Sequence, residues 1–235
     1  MKNILELCDD VGFDYKPHVD EFIRIGDVTA IRTLKKTGAQ YRKNYERGVL
    51  MVALANRLKA KRVLEFGTGR GYVCACLLQM SDTVEEVVTI DKNPPQEVEG
   101  KFLELGIPLD KMTFVTGDAN TLGADDVKGE FDLVFVDAQH DGKSVKSNYV
   151  YSRSKSHDDT VIVFDDYRSK FPSVKKVINK FKVDKMMVQC DGWIVVNSCI
   201  KQARDADRVV EGREFDSGLV VSSHTDILQC IGLRE

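Results

Sequence analysis

Short apolar runs rich in β-branched residues recur along the second half of the chain, at residues 62–66, 86–90, 112–116, 131–136, 160–164, 185–190 and 193–200. Between the first five lie stretches with helical spacing of apolar positions, at 72–80, 96–105 and 143–154, and a short turn near 119–127. Strand-sized runs separated by helical crossovers predict an α/β domain, a doubly wound sheet that is mostly parallel with helices on both faces. A further helix is expected at 173–181, with Ser173 as a plausible N-cap. The last two runs are joined by Asp191-Gly192, a hairpin turn signal, so one of them should be antiparallel. Residues 1–60 look largely helical, and apolar positions 49, 50, 52, 53, 54 and 58 mark a helix over 44–58 that leads into the first strand.

The first strand runs straight into a glycine-rich turn, Val63-Leu64-Glu65-Phe66-Gly67-Thr68-Gly69-Arg70-Gly71-Tyr72. Glycine tolerates backbone conformations that a β-carbon blocks, which lets a ligand lie against the main chain. A helix beginning here presents free N–H groups and a positive dipole end to that ligand. The second strand ends in Asp91, where a carboxylate can accept hydrogen bonds from ribose hydroxyls. Asp118 and Ala119 follow the third strand. An aspartate there either faces a ligand or caps the next turn. Asn93-Pro94-Pro95 follows the second strand and is adequately explained as turn chemistry.

The fourth strand delivers Asp137, followed by Ala138-Gln139-His140, and the fifth delivers Asp165-Asp166. Both sets lie at the C-terminal strand ends, the edge where open α/β sheets bind ligands. Three converging carboxylates make a hard-oxygen site suited to Mg²⁺. Imidazole, with an ordinary pKa of ~6.5, suits proton removal near neutral pH.

The glycine turn, with Glu65 two residues before Gly67, resembles the first motif of class I S-adenosylmethionine-dependent methyltransferases. That resemblance covers roughly residues 45–200 and implies a Rossmann-like, seven-stranded sheet ending in an antiparallel hairpin. It implies that Glu65, Gly67, Thr68, Gly69, Gly71, Asp91, Asp118 and Ala119 bind S-adenosylmethionine, with Asp118 and Ala119 at the adenine. Asp137, Asp165 and Asp166 match the metal-binding positions of O-methyltransferases of the catechol and caffeoyl-coenzyme A type. Asp166 stands where those enzymes carry asparagine, and an Asp-Asp pair is similar to metal-dependent macrolide-sugar O-methyltransferases. His140 lies where the catechol enzymes carry a basic lysine, which implies a catalytic role for His140 beside Asp137. Where relatives have a Pro-Gly-Gly-type turn before strand five, this chain has Ser156-His157-Asp158-Asp159.

Composition narrows the picture. With 43% hydrophobic and 30% charged residues the chain reads as an ordinary globular protein. A net charge of −3 gives no basic excess for nucleic-acid binding. No apolar run approaches the ~20 residues that span a bilayer. Six cysteines without a C-x-x-C pair, and a start without leader character, give the expectation of a reduced, cytoplasmic protein. The basic residues Arg32, Lys35, Lys36, Arg42, Lys43 and Arg47 read as a solvated helix face. The expected organisation is a helical extension at 1–45, the methyltransferase domain at 46–200 and a tail at 201–235. The flanking segments are expected to shape an acceptor pocket or a homo-oligomer contact. The functional expectation is methyl transfer to a hydroxyl of a small molecule, assisted by a divalent cation. The competitors are a metal-independent enzyme acting on RNA, protein or an amine, and a non-catalytic partner subunit. An aminopropyl transferase ranks below both, since no second acidic cluster offers itself to a polyamine.

Overall fold

The computed structural model describes residues 2–37, 46–93, 95–167, 170–182, 184–189 and 218–223. In chain order the elements are β1 (Lys2–Asn3), α1 (Ile4–Asp10), α2 (Val19–Thr37), α3 (Glu46–Leu58), β2 (Arg62–Phe66), α4 (Tyr72–Met80), β3 (Glu86–Asp91), α5 (Gln96–Leu105) and β4 (Met112–Thr116). They continue with β5 (Phe131–Val136), α6 (Gly142–Ser154), β6 (Ser156–Phe164), α7 (Pro172–Lys180), β7 (Asp184–Gln189) and β8 (Gly218–Ser223).

One sheet holds every described strand, in the order β1-β7-β8-β6-β5-β2-β3-β4. Its centre is five parallel strands, with β2 paired to β3 on one side and β5 on the other. The chain winds outward from β2 to β4, then crosses back and winds the other way through β5 and β6. β2 and β5 therefore flank the topological switch point, where such sheets leave a crevice at the carboxyl ends of the strands. The Rossmann-like expectation stands, but the described sheet has eight strands rather than the expected seven, because the N-terminal Lys2–Asn3 adds a short edge strand beside β7.

Alternation along the strands explains both layers. Val63, Leu133, Phe135, Val161 and Val163 join an apolar cluster with α1 to α5, while Leu64, Phe66, Val134, Val136, Ile162 and Phe164 join a second one with α6 and α7. Strands apolar on both faces are what a parallel sheet covered on both sides requires. Leu7, Cys8, Phe22 and Ile25 of the N-terminal segment lie in the first cluster. That segment is thus part of the same core rather than a separate appendage.

The edge beyond β6 differs from the expected hairpin. β8 pairs antiparallel with both β6 and β7, so the strand opposite Asp184–Gln189 is Gly218–Ser223, and residues 193–200 lie outside the described residues. The Asp191-Gly192 signal is local, whereas a strand inserted between two others is chosen by long-range pairing. One helix start also differs. α7 begins at Pro172 with Phe171 as its N-cap, so Ser173 lies inside the helix. Proline fits that first position because its missing N–H would be unpaired there anyway.

Asp141, expected to face solvent without a role, caps α6. Its carboxylate accepts hydrogen bonds from the backbone N–H of Lys143 at 2.9 Å and of Ser144 at 3.0 Å, and from Ser144 Oγ at 2.6 Å. Those bonds hold its carboxyl below the ordinary range, the Ser144 hydroxyl first among them. Removing such a cap costs about 1 kcal/mol. Asp141→Ala should therefore lower the urea midpoint by that equivalent with an unchanged m-value.

Candidate active site

A cleft of about 490 Å³ opens at the switch point, lined by the glycine turn, the ends of β3 and β4, and the loop after β5. Gly67, Gly69 and Gly71 all have positive φ, at 90°, 53° and 81°. At Gly67 the requirement is also steric, because a Cβ there would run into the backbone carbonyl of Asp137. At Gly71 it would meet Phe102 and Val98 at 2.8 Å. The first contact lets β2 and β5 reach the cleft side by side. The second seats the start of α4 on α5.

Glu65, on β2, lies under this turn and is 1% exposed. It accepts a hydrogen bond from Thr89 Oγ1 at 2.6 Å, and Thr89 lies 2.5 Å from the Thr68 hydroxyl. Burial pushes the Glu65 carboxyl up to about 8, against the pull of the Thr89 hydrogen bond. Asp91 pins the turn from the other side. Its Oδ2 accepts from the Gly69 N–H at 2.9 Å, and its Oδ1 from the N–H and side-chain amide of Asn93 at 2.9 and 3.0 Å. A carboxylate has about four acceptor positions, so Asp91 keeps capacity toward the cleft. Asn93 thus serves the turn, as its sequence context suggested.

Asp118 also works locally. It accepts from the Asn120 N–H at 2.9 Å and pairs with Lys92 at 3.0 Å, which together hold its carboxyl below the ordinary range. Ala119 beside it is buried and lines the cleft. Across the cleft Gln139 accepts from Asn120 Nδ2 at 3.1 Å and from Ser144 Oγ at 2.9 Å, tying the loop after β4 to the loop after β5.

The acids gather at the far end. Asp137 and Asp165, on adjacent strand ends, are bridged by Arg47, with Nη1 2.9 Å from Asp137 Oδ2 and Nη2 2.5 Å from Asp165 Oδ2. Asp165 Oδ1 accepts from the backbone N–H of Asp166 at 2.7 Å. Asp166 is buried, has φ 59°, and meets His140 Nδ1 through its Oδ2. A left-handed conformation at a non-glycine residue is uncommon and clusters at functional sites. The His140 ring stacks on Phe171, with centroids 4.9 Å apart. Asp137, His140 and Asp166 each offer a ligand atom, and these lie within 4.8 Å of one another. Burial first, and then the neighbouring Asp165 carboxylate, raise the Asp137 carboxyl well above its ordinary range, although 21% of the side chain stays exposed and Arg47 pulls the other way.

The three aspartates expected to share a site are therefore close together but unequally used: Asp165 faces Arg47, and His140 stands beside Asp137 and Asp166. Arg47, read from sequence as a solvated charge, lies in the cleft. Gly48, next to it, packs α3 so tightly on α4 that a Cβ would meet Cys76 Sγ at 2.6 Å and the Tyr72 hydroxyl at 2.8 Å. An arginine directly before a helical glycine, ahead of the glycine-turn strand, was the available signal.

Glu65 makes stability depend on pH. It ionises near 4.5 when exposed in the unfolded chain and near 8 when folded, so between these values the folded state binds the extra proton. Its contribution is complete below 4.5 and is lost as pH rises through 8. Glu65→Gln should remove this slope, gaining on the wild type by a few kcal/mol at most between pH 5 and 9 in urea unfolding. Parallel pH profiles for the two proteins would contradict the assignment.

Residues 64–167 match a protein family described as a methyltransferase domain. No curated protein is significantly similar to the chain. Among solved structures, the S-adenosylhomocysteine-bound methyltransferase PaMTH1 of Podospora anserina superposes with a TM-score of 0.60 at 18% identity, over 88% of each chain. The O-methyltransferase TomG of Streptomyces achromogenes, involved in tomaymycin synthesis and solved with S-adenosylmethionine, gives 0.59 at 17% identity, over 87% of this chain and 89% of that one. An O-methyltransferase from Bacillus cereus with S-adenosylhomocysteine gives 0.60 at 16%, over 86% and 90%. Among the described residues no helix is long and apolar enough to cross a membrane. The glycine turn at the switch point and the acid-ended strands all fall within the stretch that matches the methyltransferase-domain family, and the fold is that of the solved methyltransferases.

Proposed function

We propose that the protein transfers the methyl group of S-adenosylmethionine to a hydroxyl of a small molecule, with a divalent cation held by Asp137, His140 and Asp166. The observation that carries this reading is the convergence of those three side chains, with Asp137 and His140 lining the cleft and Asp166 buried beside them. Two carboxylates and an imidazole form a donor set that fits a divalent ion and leaves coordination positions open. When bound, such an ion lowers the pKa of a coordinated hydroxyl. The net charge of −3 and the O-methyltransferases among the similar structures support a small acceptor over nucleic acid. We take residues 46–200 as the catalytic domain, flanked by 1–45 and 201–235.

The remaining roles belong to the chain itself. The backbone of Gly67, Gly69 and Gly71 offers the cofactor a surface without side chains, and Asp91 accepts from the ribose hydroxyls. Glu65 and Thr68 shape the floor beneath it, and Asp118 and Ala119 border the adenine end. Phe171 fixes the plane of His140 by stacking. Much of the acceleration in such a reaction comes from holding the acceptor oxygen close and in line with the methyl group.

One observation favours a second, metal-free reading. The contact of His140 Nδ1 with buried Asp166 orients the ring as a carboxylate orients a general base, which leaves Nε2 to take the acceptor proton.

Asp91→Ala should weaken S-adenosylmethionine binding by about 1–3 kcal/mol in calorimetry, the cost of removing a charged acceptor. Unchanged affinity would place the ribose elsewhere. The two readings separate on chelation. In the cation reading, methyl transfer to a screened panel of small hydroxylated acceptors stops in EDTA and returns with added Mn²⁺ or Mg²⁺. In the metal-free reading EDTA has no effect. His140→Ala then lowers the rate by ~10²–10⁴-fold and removes the rising limb of the pH profile.

A further inference from the structure

We infer that Arg47 selects the metal: by holding Asp165 out of the donor set, it leaves a site with imidazole in it, which suits a first-row transition ion better than Mg²⁺. This inference rests on the divalent-cation reading above.

The geometry on which it stands is the division of labour among three neighbouring carboxylates. Asp165 Oδ1 accepts from the Asp166 N–H at 2.7 Å, and its Oδ2 is ion-paired with Arg47 Nη2 at 2.5 Å without a hydrogen bond of its own. Asp137 has one oxygen on Arg47 Nη1 at 2.9 Å and belongs to the group of converging ligands. Asp165 does not belong to that group, although it shares Arg47 with Asp137. His140 does. An all-carboxylate set would be a hard-oxygen site of the kind Mg²⁺ prefers, whereas an imidazole favours Mn²⁺, Fe²⁺, Co²⁺ or Zn²⁺.

Arg47 is suited to this task because a planar guanidinium spans two carboxylates at once, which an ammonium does not. It is also anchored. The close packing of Gly48 on Cys76 and Tyr72 fixes the start of α3 against α4 and brings the guanidinium to the ends of β5 and β6. Substituting Arg47 by a neutral residue therefore has two separable effects. It removes a positive charge, which tightens every cation, and it frees a carboxylate, which tightens hard cations more.

The test is binding of Co²⁺ and Mg²⁺ to the full-length protein, read by calorimetry and by the visible spectrum of Co²⁺, with no need for an acceptor. In the wild type, Asp166→Asn should weaken Co²⁺ well beyond the roughly tenfold expected on losing a nearby charge, Asp165→Asn should weaken it by no more than that, and His140→Ala should alter the Co²⁺ spectrum. Arg47→Gln should tighten Mg²⁺ by roughly tenfold or more, as expected on removing a charge a few ångströms away. It should also lower the ratio of Co²⁺ to Mg²⁺ affinity, and Asp165→Asn added to Arg47→Gln should cancel that change in ratio. Equal tightening of both ions by Arg47→Gln would mean that Arg47 acts by charge alone, and the inference would fall. It would fall equally if Asp165→Asn weakened Co²⁺ as much as Asp166→Asn, or if His140→Ala left the spectrum unchanged. These wild-type arms decide the matter even if Arg47→Gln does not fold, which a thermal melt reports. A wild-type protein that binds S-adenosylhomocysteine but neither ion would overturn the cation reading itself, a result distinct from a failed selection.

Discussion

The site depends on a row of backbone hydrogen bonds that carries the parallel ladder one residue past the strand ends. Gly117 N–H donates to Asp91, Gly67 N–H to Ile90, Asp137 N–H to Phe66 and Asp165 N–H to Val136, at 2.8 to 3.0 Å. Each bond joins one side of the cleft to the next strand. The residues that do chemistry are therefore placed by main chain in register, not by flexible loops. The absence of a side chain at Gly67 is the condition for this row, since the turn passes directly against the backbone of Asp137. Preorganisation of this kind is what a positioning catalyst requires.

Register alone would be costly at the acid end, because it brings three carboxylates together away from bulk water. Burial first, and the neighbouring Asp165 carboxylate after it, raise the pKa of the Asp137 carboxyl. Arg47 and His140 are the chain's answer, one across Asp137 and Asp165 and the other on Asp166. Because Arg47 opens α3 and α3 is locked onto α4, the N-terminal helices are tied to the electrostatics of the site as well as to the core. The unusual φ of Asp166 belongs to the same arrangement, since it turns the Asp166 N–H onto Asp165 while its side chain meets His140.

Much of this was legible in sequence because the signals are local. The five central strands, α4 and α5 follow from period-two and helical spacing, and the glycine turn followed by Asp91 announces a nucleotide-type cleft. Asp137, Asp165, Asp166 and His140 were visible as strand-end residues. What sequence did not disclose was the pairing among them. Whether Asp165 turns toward Asp166 and His140 or toward an arginine more than a hundred residues upstream depends on how α3 crosses the sheet edge. Arg47 looked solvated because a charge at the start of a helix usually is. Gly218–Ser223 was missed as the strand beside β6 because apolar character in a tail does not say which edge it joins.

The two ends of the cleft are made of different material, and this bears on what the fold can say about function. The cofactor end is built from glycine backbone and from acids that fasten the turn, so a likeness of main-chain trace speaks directly to it. The acceptor end is built from side chains on the segments after β5 and β6: His140, the aspartates and the ring of Phe171. At 16–18% identity, superposition on methyltransferases speaks to the fold that carries both ends and not to the side chains of either. The choice of acceptor therefore rests on the chemistry of a few side chains. There, the imidazole stacked on Phe171 and the buried Asp166 in a left-handed conformation are the features that shape the site.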